Sequence, residues 1–141
     1  MQQAGQPPRF SKDLKMGITA VTVVGFVAAA AGHAVVDLDR AEICMGSDCR
    51  PVLIGKETPR GEYHLQLANT DEAGYGGDVL VFKQDTTGTY AVHRVWTQKP
   101  SEKRLERIQQ DAERRIITNG CVNVDDETYN KLQQYSRLII E

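Results

Sequence analysis

The sequence predicts a mainly β fold in a single domain, with two short helices in its C-terminal part. The chain has 141 residues, a length typical of one domain. Along most of it, short runs with β-branched and aromatic residues alternate with turn-forming residues, which is the pattern of a sheet-based protein. Hydrophobic residues make up 40% and charged residues 26%, so the composition is that of an ordinary globular protein rather than a disordered, collagen-like or disulfide-dense one.

The N-terminal segment, residues 1–33, differs in composition from the rest. Three basic residues, Arg9, Lys12 and Lys15, precede an almost uncharged apolar run of 17 residues that ends in an alanine-rich stretch. This order is typical of a secretory signal peptide. An uncleaved membrane anchor and a buried N-terminal helix are the alternatives. We predict an exported protein of the periplasm or cell envelope, whose folded domain spans residues 34–141 and which contacts a membrane only through residues 1–33.

The first half of the folded region is predicted to form strands joined by tight turns. Residues 34–38, 41–44 and 49–54 carry Val, Ile or Leu, and the turn-forming residues between the last two runs predict a hairpin. After the Thr-Pro-Arg-Gly turn at residues 58–61, apolar and polar residues alternate over 62–67, as in a strand with one buried face.

The second half is predicted to contain three more strands. The runs 79–82 and 90–96 are rich in Val, Leu and aromatic residues and are separated by a polar turn. Residues 137–140 form a terminal strand. The sheet is therefore expected to be the main body of the protein.

Two helices interrupt this β pattern. Over residues 101–116 apolar residues recur at helical spacing, namely Leu105, Ile108, Ala112 and Ile116. The solvated face of this helix is expected to carry the basic residues Lys103, Arg104, Arg107 and Arg114. Asp125 is the expected N-cap of the second helix.

The charge balance argues against nucleic acid as a partner. Seventeen Lys and Arg residues face nineteen Asp and Glu residues, which gives a formal net charge of −2. Binding to a phosphate backbone requires a concentration of basic residues that this composition does not provide. No nucleic-acid partner is predicted.

Three cysteines are an odd number for a protein predicted to be exported. Cys44 and Cys49 flank four turn-type residues, and three interpretations stay open: a disulfide across the hairpin, two reduced structural cysteines, or half of a zinc site. No second ligand pair has metal spacing, so no metal is predicted. Cys121 is left over, and an unpaired thiol in an oxidising compartment is a candidate nucleophile, which we expect at a surface cleft.

The residues around Cys121 support this role. Gly120 directly precedes it and allows a tight turn, in which backbone N–H groups can converge on an oxyanion. His93, on a predicted strand, is the candidate base, because an imidazole that takes the thiol proton activates the sulfur.

Three segments, in this order along the chain, resemble motifs of the L,D-transpeptidase family, the YkuD-like domain. They are T-P-R-G-E-Y at residues 58–63, V-H-R at 92–94 and T-N-G-C-V-N at 118–123. The last segment is the most specific of the three. The resemblance covers roughly residues 34–141 and implies a β sandwich or barrel that works on peptidoglycan in the cell envelope.

The resemblance also implies roles for individual residues. Cys121 attacks a carbonyl of a peptidoglycan stem tetrapeptide, expels the terminal D-Ala and holds the rest as a thioester, with His93 as general base. The backbone carbonyl of Arg94, rather than its side chain, orients His93, and the N–H groups of Gly120 and Cys121 stabilise the oxyanion. The residues expected to bind substrate or brace the loop are Thr58, Pro59, Gly61, Thr118, Asn119 and Asn123. No cofactor is implied, carbapenems are expected inhibitors, and the protein is expected to be a monomer.

Two departures from the family pattern keep other functions open. Many members carry a second His directly before Gly-Cys, where this chain has Asn119, and Cys121 lies 28 residues after His93, which is longer than usual. Residues 101–116 account for the additional length between His93 and Cys121, and we call them the inserted segment. Such an insertion is expected to make a lid or an added surface element. The alternatives are an L,D-carboxypeptidase or D-amino-acid exchange enzyme, a secreted antibacterial effector, and an inactive wall-binding module.

Overall fold

A computed structural model describes residues 32–141, and the predicted signal segment therefore lies almost entirely outside the described residues. The strands are β1 (His33–Asp37), β2 (Glu42–Met45), β3 (Asp48–Pro51), β4 (Ile54–Gly55), β5 (Gly61–His64), β6 (Gln66–Asn69), β7 (Asp78–Asp85), β8 (Gly88–Arg94), β9 (Ile116–Thr118), β10 (Val122–Val124) and β11 (Arg137–Ile140). The helices are α1 (Arg104–Arg107) and α2 (Asp126–Leu132), with 3₁₀ turns at Pro100–Glu102 and Ala112–Arg115. Between residues 32 and 141, no helix is long and apolar enough to cross a membrane. The predicted mainly β fold with two short helices is confirmed.

The strands form two main sheets and one small one. The five-stranded sheet has the order β3-β2-β1-β11-β5, so the last strand of the chain lies in its interior beside β1. The four-stranded sheet has the order β10-β8-β7-β6, with β10 parallel to β8. A short parallel pair, β4 and β9, leads into the Cys121 segment.

The main core lies between the two large sheets and under α2. It contains Val36 and Ile43 from one sheet, Leu80 and Val92 from the other, and Tyr129 from the helix. This arrangement explains the alternation of buried and partly exposed residues in β1, β2 and β11, because only one face of the five-stranded sheet meets the core.

The four-stranded sheet is covered on its second face as well. A smaller apolar cluster there contains Val79, Val81, Ala91, Trp96 and Tyr75. Burial on both faces accounts for the nearly continuous apolar run at the start of β7. This second face, away from the main core, carries the candidate active site.

The predicted helix over residues 101–116 is much shorter than expected. Only α1 is α-helical, and Lys103, with a φ angle of 50°, separates it from the preceding 3₁₀ turn. Ile108 is buried, whereas Leu105 is 63% exposed and Ile116 is exposed. The helical spacing of these apolar residues was therefore a misleading signal, because most of the segment is held by side-chain contacts rather than by an apolar helix face.

The β2–β3 hairpin contains the Cys44–Cys49 disulfide. The two cysteines are direct cross-strand partners in the antiparallel register. Of the three interpretations of this pair, the disulfide is confirmed, and Cys121 is the free cysteine among the described residues.

Candidate active site

Strands β8 and β10 bring His93 and the Cys121 segment together. In their parallel register Asn123 lies opposite His93, although the two residues are 30 positions apart in the chain. Side chains two residues apart on a strand point to the same face. Cys121 immediately precedes β10, and its Sγ donates a hydrogen bond to the carbonyl oxygen of Thr89 on β8, at 3.9 Å. The thiol and the imidazole thus lie on the second face of the four-stranded sheet.

The hydrogen bonds of His93 define its neutral tautomer. Its Nδ1 lies 2.7 Å from the carbonyl oxygen of Arg94. A carbonyl only accepts, so Nδ1 carries the proton and the lone pair is on Nε2. Asn123 donates to that Nε2 from its Nδ2, at 3.4 Å. Any proton that the ring accepts must therefore enter at Nε2.

Burial keeps His93 uncharged. The side chain is 3% exposed and the ring of Tyr75 packs edge-on against it, with 4.7 Å between ring centroids. Desolvation lowers the pKa of His93 to about 4, the bond to the Arg94 carbonyl opposes this, and the positive charge of Arg104 adds to it. The imidazole is neutral at pH 7.

Burial also keeps Cys121 protonated. The thiol was expected at a surface cleft, but Cys121 is only 2% exposed. Desolvation raises its pKa to about 12, opposed by a backbone hydrogen bond from Ala91 and by the charge of Arg104. The expectation of an open cleft was wrong, because Cys121 faces the covered side of the sheet rather than solvent.

Thr118 organises the turn before the thiol. Its buried hydroxyl donates to the carbonyl oxygen of Cys121 at 2.7 Å and accepts from the N–H of Gly120 at 3.2 Å. The Gly120 N–H assigned above to the oxyanion is thus bonded to Thr118 in this structure. Gly120 has a φ angle of 143°, and a Cβ atom there would lie 2.6 Å from the ring of Tyr90. Asn119 is half-buried in the same turn.

The Thr58–Gly61 turn supports this segment from the side. The Thr58 hydroxyl is buried and accepts from the N–H of Gly55 at 2.9 Å, and Gly55 packs directly on the carbonyl of Thr118. The hydroxyl of Tyr63 lies 2.8 Å from the carbonyl oxygen of Arg60 and 3.1 Å from that of Pro59, so it donates to one of these two and holds the turn that precedes Gly61. The Thr58 side chain therefore points into the protein, toward the backbone of β4.

The side chain of Arg94 has a role that the sequence analysis did not assign. Its Nη1 donates to the carbonyl oxygen of Tyr75 and to Oδ1 of Asp78, both at 3.0 Å. Its guanidinium also lies over the ring of Tyr129, 4.1 Å from the centroid. Arg94 thus fixes the loop that holds Tyr75 against His93, in addition to offering its backbone carbonyl.

Arg104 is the main site residue that the sequence analysis missed. It was expected on a solvated helix face, but it is 4% exposed. Its Nε donates to Oε1 of the buried Glu102 at 2.8 Å, its Nη1 donates to Oδ1 of Asn123 at 3.0 Å, and its guanidinium lies 5.0 Å from the ring centroid of Trp96. Neighbours two residues apart do not meet on a helix, so the helical reading of this segment concealed the Glu102–Arg104 pair.

A cavity of about 230 Å³ opens beside the inserted segment. Its lining residues are Thr97, Lys99, Pro100, Lys103, Arg104, Leu105 and Glu106. It adjoins the buried network through Arg104, whereas Cys121 and His93 are outside its lining. Within residues 32–141, no cluster of three or more His, Cys, Asp or Glu side chains is arranged to hold a metal ion.

Comparison with solved structures shows a fold similar to that of L,D-transpeptidases. The Enterococcus faecium L,D-transpeptidase, solved as a Cys-to-Ser mutant, gives a TM-score of 0.53 at 12% identity, over 77% of this chain and 49% of that chain. An L,D-transpeptidase from Mycobacterium smegmatis gives a TM-score of 0.46 at 17% identity, over 77% of this chain and 58% of that one. One from Stackebrandtia nassauensis gives 0.43 at 13% identity, over 77% and 54%.

The likeness is one of fold and covers part of each compared protein. No protein-family model matches the chain, and no curated protein matches it in sequence. The matched part amounts to about half the length of the three solved chains. The likeness to the Enterococcus faecium structure, at a TM-score of 0.53, assigns this chain the L,D-transpeptidase type of fold.

Proposed function

We propose that this protein is a peptidoglycan L,D-transpeptidase that works through a thioester at Cys121. The observation that carries the proposal is the pair of Cys121 and His93 on one covered sheet face, with Nδ1 of His93 tied to the Arg94 carbonyl, so that the basic lone pair of the ring is on Nε2, where Nδ2 of Asn123 now donates to it. The L,D-transpeptidase type of fold and the three motifs in family order support it.

The proposed reaction uses the two residues in sequence. Once the Asn123 amide has moved off Nε2 of His93, Nε2 takes the thiol proton while Sγ of Cys121 adds to the carbonyl of the third residue of a stem tetrapeptide. The C–N bond to D-Ala then breaks, the leaving amine receives the proton from His93, and the peptide remains as a thioester. An amine of a second stem attacks the thioester and passes a proton to His93, the C–S bond breaks, and His93 returns the proton to the sulfur, which completes the cross-link and regenerates the thiol.

Access to the thiol requires a covering residue to move. Cys121 and His93 are at most 3% exposed, so a peptide carbonyl cannot reach Sγ in this conformation. The Tyr75 loop and the segment that carries Arg104 are the elements that lie against the two residues. This closed state also favours one alternative, an inactive wall-binding module with the same fold.

The proposal includes an envelope location. The basic and apolar residues of segment 1–33 support export, followed by the catalytic domain at residues 34–141. Peptidoglycan stem peptides are the proposed partners, and the protein is proposed to act as a monomer.

Product analysis tests the function. Purified protein is incubated with disaccharide tetrapeptides, and free D-Ala and muropeptides are separated by mass. Cross-linked dimers support transpeptidation, tripeptides alone indicate a carboxypeptidase, and incorporation of an added D-amino acid indicates exchange. Folded protein that releases no D-Ala would contradict the enzymatic proposal and favour the inactive module. Cys121→Ala is the control, because any D-Ala release that persists in it does not come from the proposed site.

A further inference from the structure

A continuous chain of hydrogen bonds runs from the inserted segment to the base. Glu102 accepts from Arg104 at 2.8 Å, Arg104 donates to Oδ1 of Asn123 at 3.0 Å, and Nδ2 of Asn123 donates to Nε2 of His93 at 3.4 Å. All four side chains are less than 8% exposed. Oε2 of Glu102 and Nη2 of Arg104 are buried without a hydrogen-bond partner within residues 32–141, so the arrangement is constrained mainly at the Asn123 amide, which meets donors on one side and the imidazole on the other.

The orientation of the Asn123 amide follows from its donors. Its Oδ1 receives the Arg104 guanidinium and the backbone N–H of Trp96, at 3.0 and 3.2 Å. Both groups can only donate, so the amide oxygen must face them and the NH₂ group must face His93. If the amide were flipped, its NH₂ group would face the donors of Arg104 and Trp96, and its oxygen would face the lone pair of Nε2 of His93. Arg104 thus determines, together with the Trp96 N–H, which atom of Asn123 meets the imidazole.

The tautomer of His93 depends on the same amide. With NH₂ at Nε2 and the Arg94 carbonyl at Nδ1, both neighbours favour a ring protonated on Nδ1. The charged or titratable groups that face the ring or the thiol are Arg104, from the inserted segment, and Tyr75, from the loop above. The charge of Arg104 opposes protonation of the imidazole and favours the thiolate.

We propose that Arg104 is a positioning residue for His93, acting through Asn123, and that Glu102 holds Arg104 in place for this task. The inserted segment is then part of the active site, because it supplies the group that keeps the lone pair on Nε2. The catalytic meaning of this assignment rests on the proposed function, whereas the effect on the imidazole does not.

The tautomer of His93 provides a test that is independent of turnover. Long-range ¹H–¹⁵N correlation spectra of the folded protein distinguish a ring protonated on Nδ1 from one protonated on Nε2. We expect the Nδ1-protonated form in the wild type and a mixture of tautomers in Arg104→Met, where Oδ1 of Asn123 loses its charged donor and keeps the weaker bond from the Trp96 N–H. The matched control is Arg114→Met, in which an exposed arginine of the same segment loses its bond to Gln110; its spectrum should equal that of the wild type.

Two further readouts complete the test. In Arg104→Met, kcat for D-Ala release should fall about tenfold or more, with KM little changed. This loss is smaller than the 10²–10⁴-fold loss typical of removing a general base. Arg104→Lys should recover part of the lost kcat. If Arg104→Met does not fold, Glu102→Gln replaces it, since it removes the charged partner at nearly constant shape, and it should also give mixed tautomers. A single Nδ1-protonated tautomer in a folded variant of either kind would overturn the proposal. Wild type that releases no D-Ala would instead count against the proposed function and leave the tautomer result to decide this inference.

Discussion

His93 and Cys121 are both held in their neutral forms by burial. The pKa of the imidazole is lowered to about 4 and that of the thiol is raised to about 12, each mainly by desolvation. A standing thiolate–imidazolium pair is therefore not the resting state. In the proposed reaction the proton therefore has to pass from sulfur to Nε2 during the attack itself, as in general-base catalysis, and substrate has to bind to a more open conformation.

The lowered pKa of His93 makes stability depend on pH in a defined window. Between the folded value of about 4 and the ordinary value of 6.5, the unfolded chain binds a proton that the folded protein does not. The free energy of unfolding therefore decreases as the pH falls from 6.5 to 4, by up to about 3 kcal/mol from this group. Above pH 6.5 the contribution is constant.

Replacing His93 should remove this dependence. Between pH 7 and pH 4 the free energy of unfolding of the wild type should decrease, and in His93→Gln this decrease should be smaller by about 3 kcal/mol. Urea denaturation at each pH measures it. His64→Gln, at an exposed position of β5, is the control and should follow the wild type. Parallel pH profiles of wild type and His93→Gln would show that the imidazole is not buried in its neutral form.

Sequence reasoning singled out the candidate pair Cys121 and His93 and missed the buried residues that contact it. Cys121 and His93 stand out because of residue type and the glycine beside the thiol. Arg104 did not stand out, because a basic residue among other charges is usually solvated. Its burial depends on Asn123, 19 residues away, and on Glu102 and the ring of Trp96. Such tertiary contacts leave no local pattern.

At the scale of elements, the short β4–β9 pair supports the turn that carries the thiol. Gly55 in β4 lies so close to β9 that a Cβ atom would stand 1.9 Å from the carbonyl oxygen of Thr118. Thr58 then closes the turn after β4 through its bond to the Gly55 N–H. The T-P-R-G motif thus has a structural role: through Gly55 it supports the segment that carries Cys121.

A single methyl group at Gly55 should separate these strands. Gly55→Ala should lower the free energy of unfolding by at least about 2 kcal/mol, because backbone of β9 has to shift to admit the Cβ atom. The matched control is Gly46→Ala. Its φ angle of 63° is unfavourable for alanine, but nothing in the described part of the chain lies within 4 Å of the added Cβ atom. Equal denaturation midpoints for the two variants would refute the close approach.

The strands were more predictable than the inserted segment for a physical reason. In strands such as β1 and β11, buried and less buried positions alternate, and this two-residue period can be recognised in the sequence. The apolar residues of segment 101–116 also repeat, but at a spacing that the backbone does not keep beyond the single turn of α1. A period found in a sequence predicts structure only where packing enforces it.

At the scale of the whole molecule, the disulfide ties the outermost strand of the five-stranded sheet to its neighbour. β3 pairs only with β2 in this sheet, and Cys44–Cys49 links them covalently. The loop that it closes is short, so loop-closure entropy gives a stabilisation of only about 2 kcal/mol. The bond is expected to form in the oxidising compartment to which segment 1–33 is predicted to direct the protein.

Thiol counting tests this arrangement. Denatured protein that has not been reduced should react with one equivalent of a maleimide, and peptide mapping should find the label on Cys121. After reduction all three cysteines should be labelled. Three equivalents before reduction, in protein purified from the envelope, would contradict the disulfide.

The most direct test of the central claim is to map where a carbapenem acylates the folded protein. Opening of the β-lactam ring by a nucleophile leaves the whole inhibitor bound as an ester or thioester, and its mass identifies the modified peptide. If Cys121 is the nucleophile, one adduct is expected, on the peptide that contains Cys121, and none on a Cys121→Ala variant whose circular dichroism spectrum is unchanged. An adduct on any other residue, or a folded wild type that forms none, would contradict the assignment of Cys121 as the nucleophile.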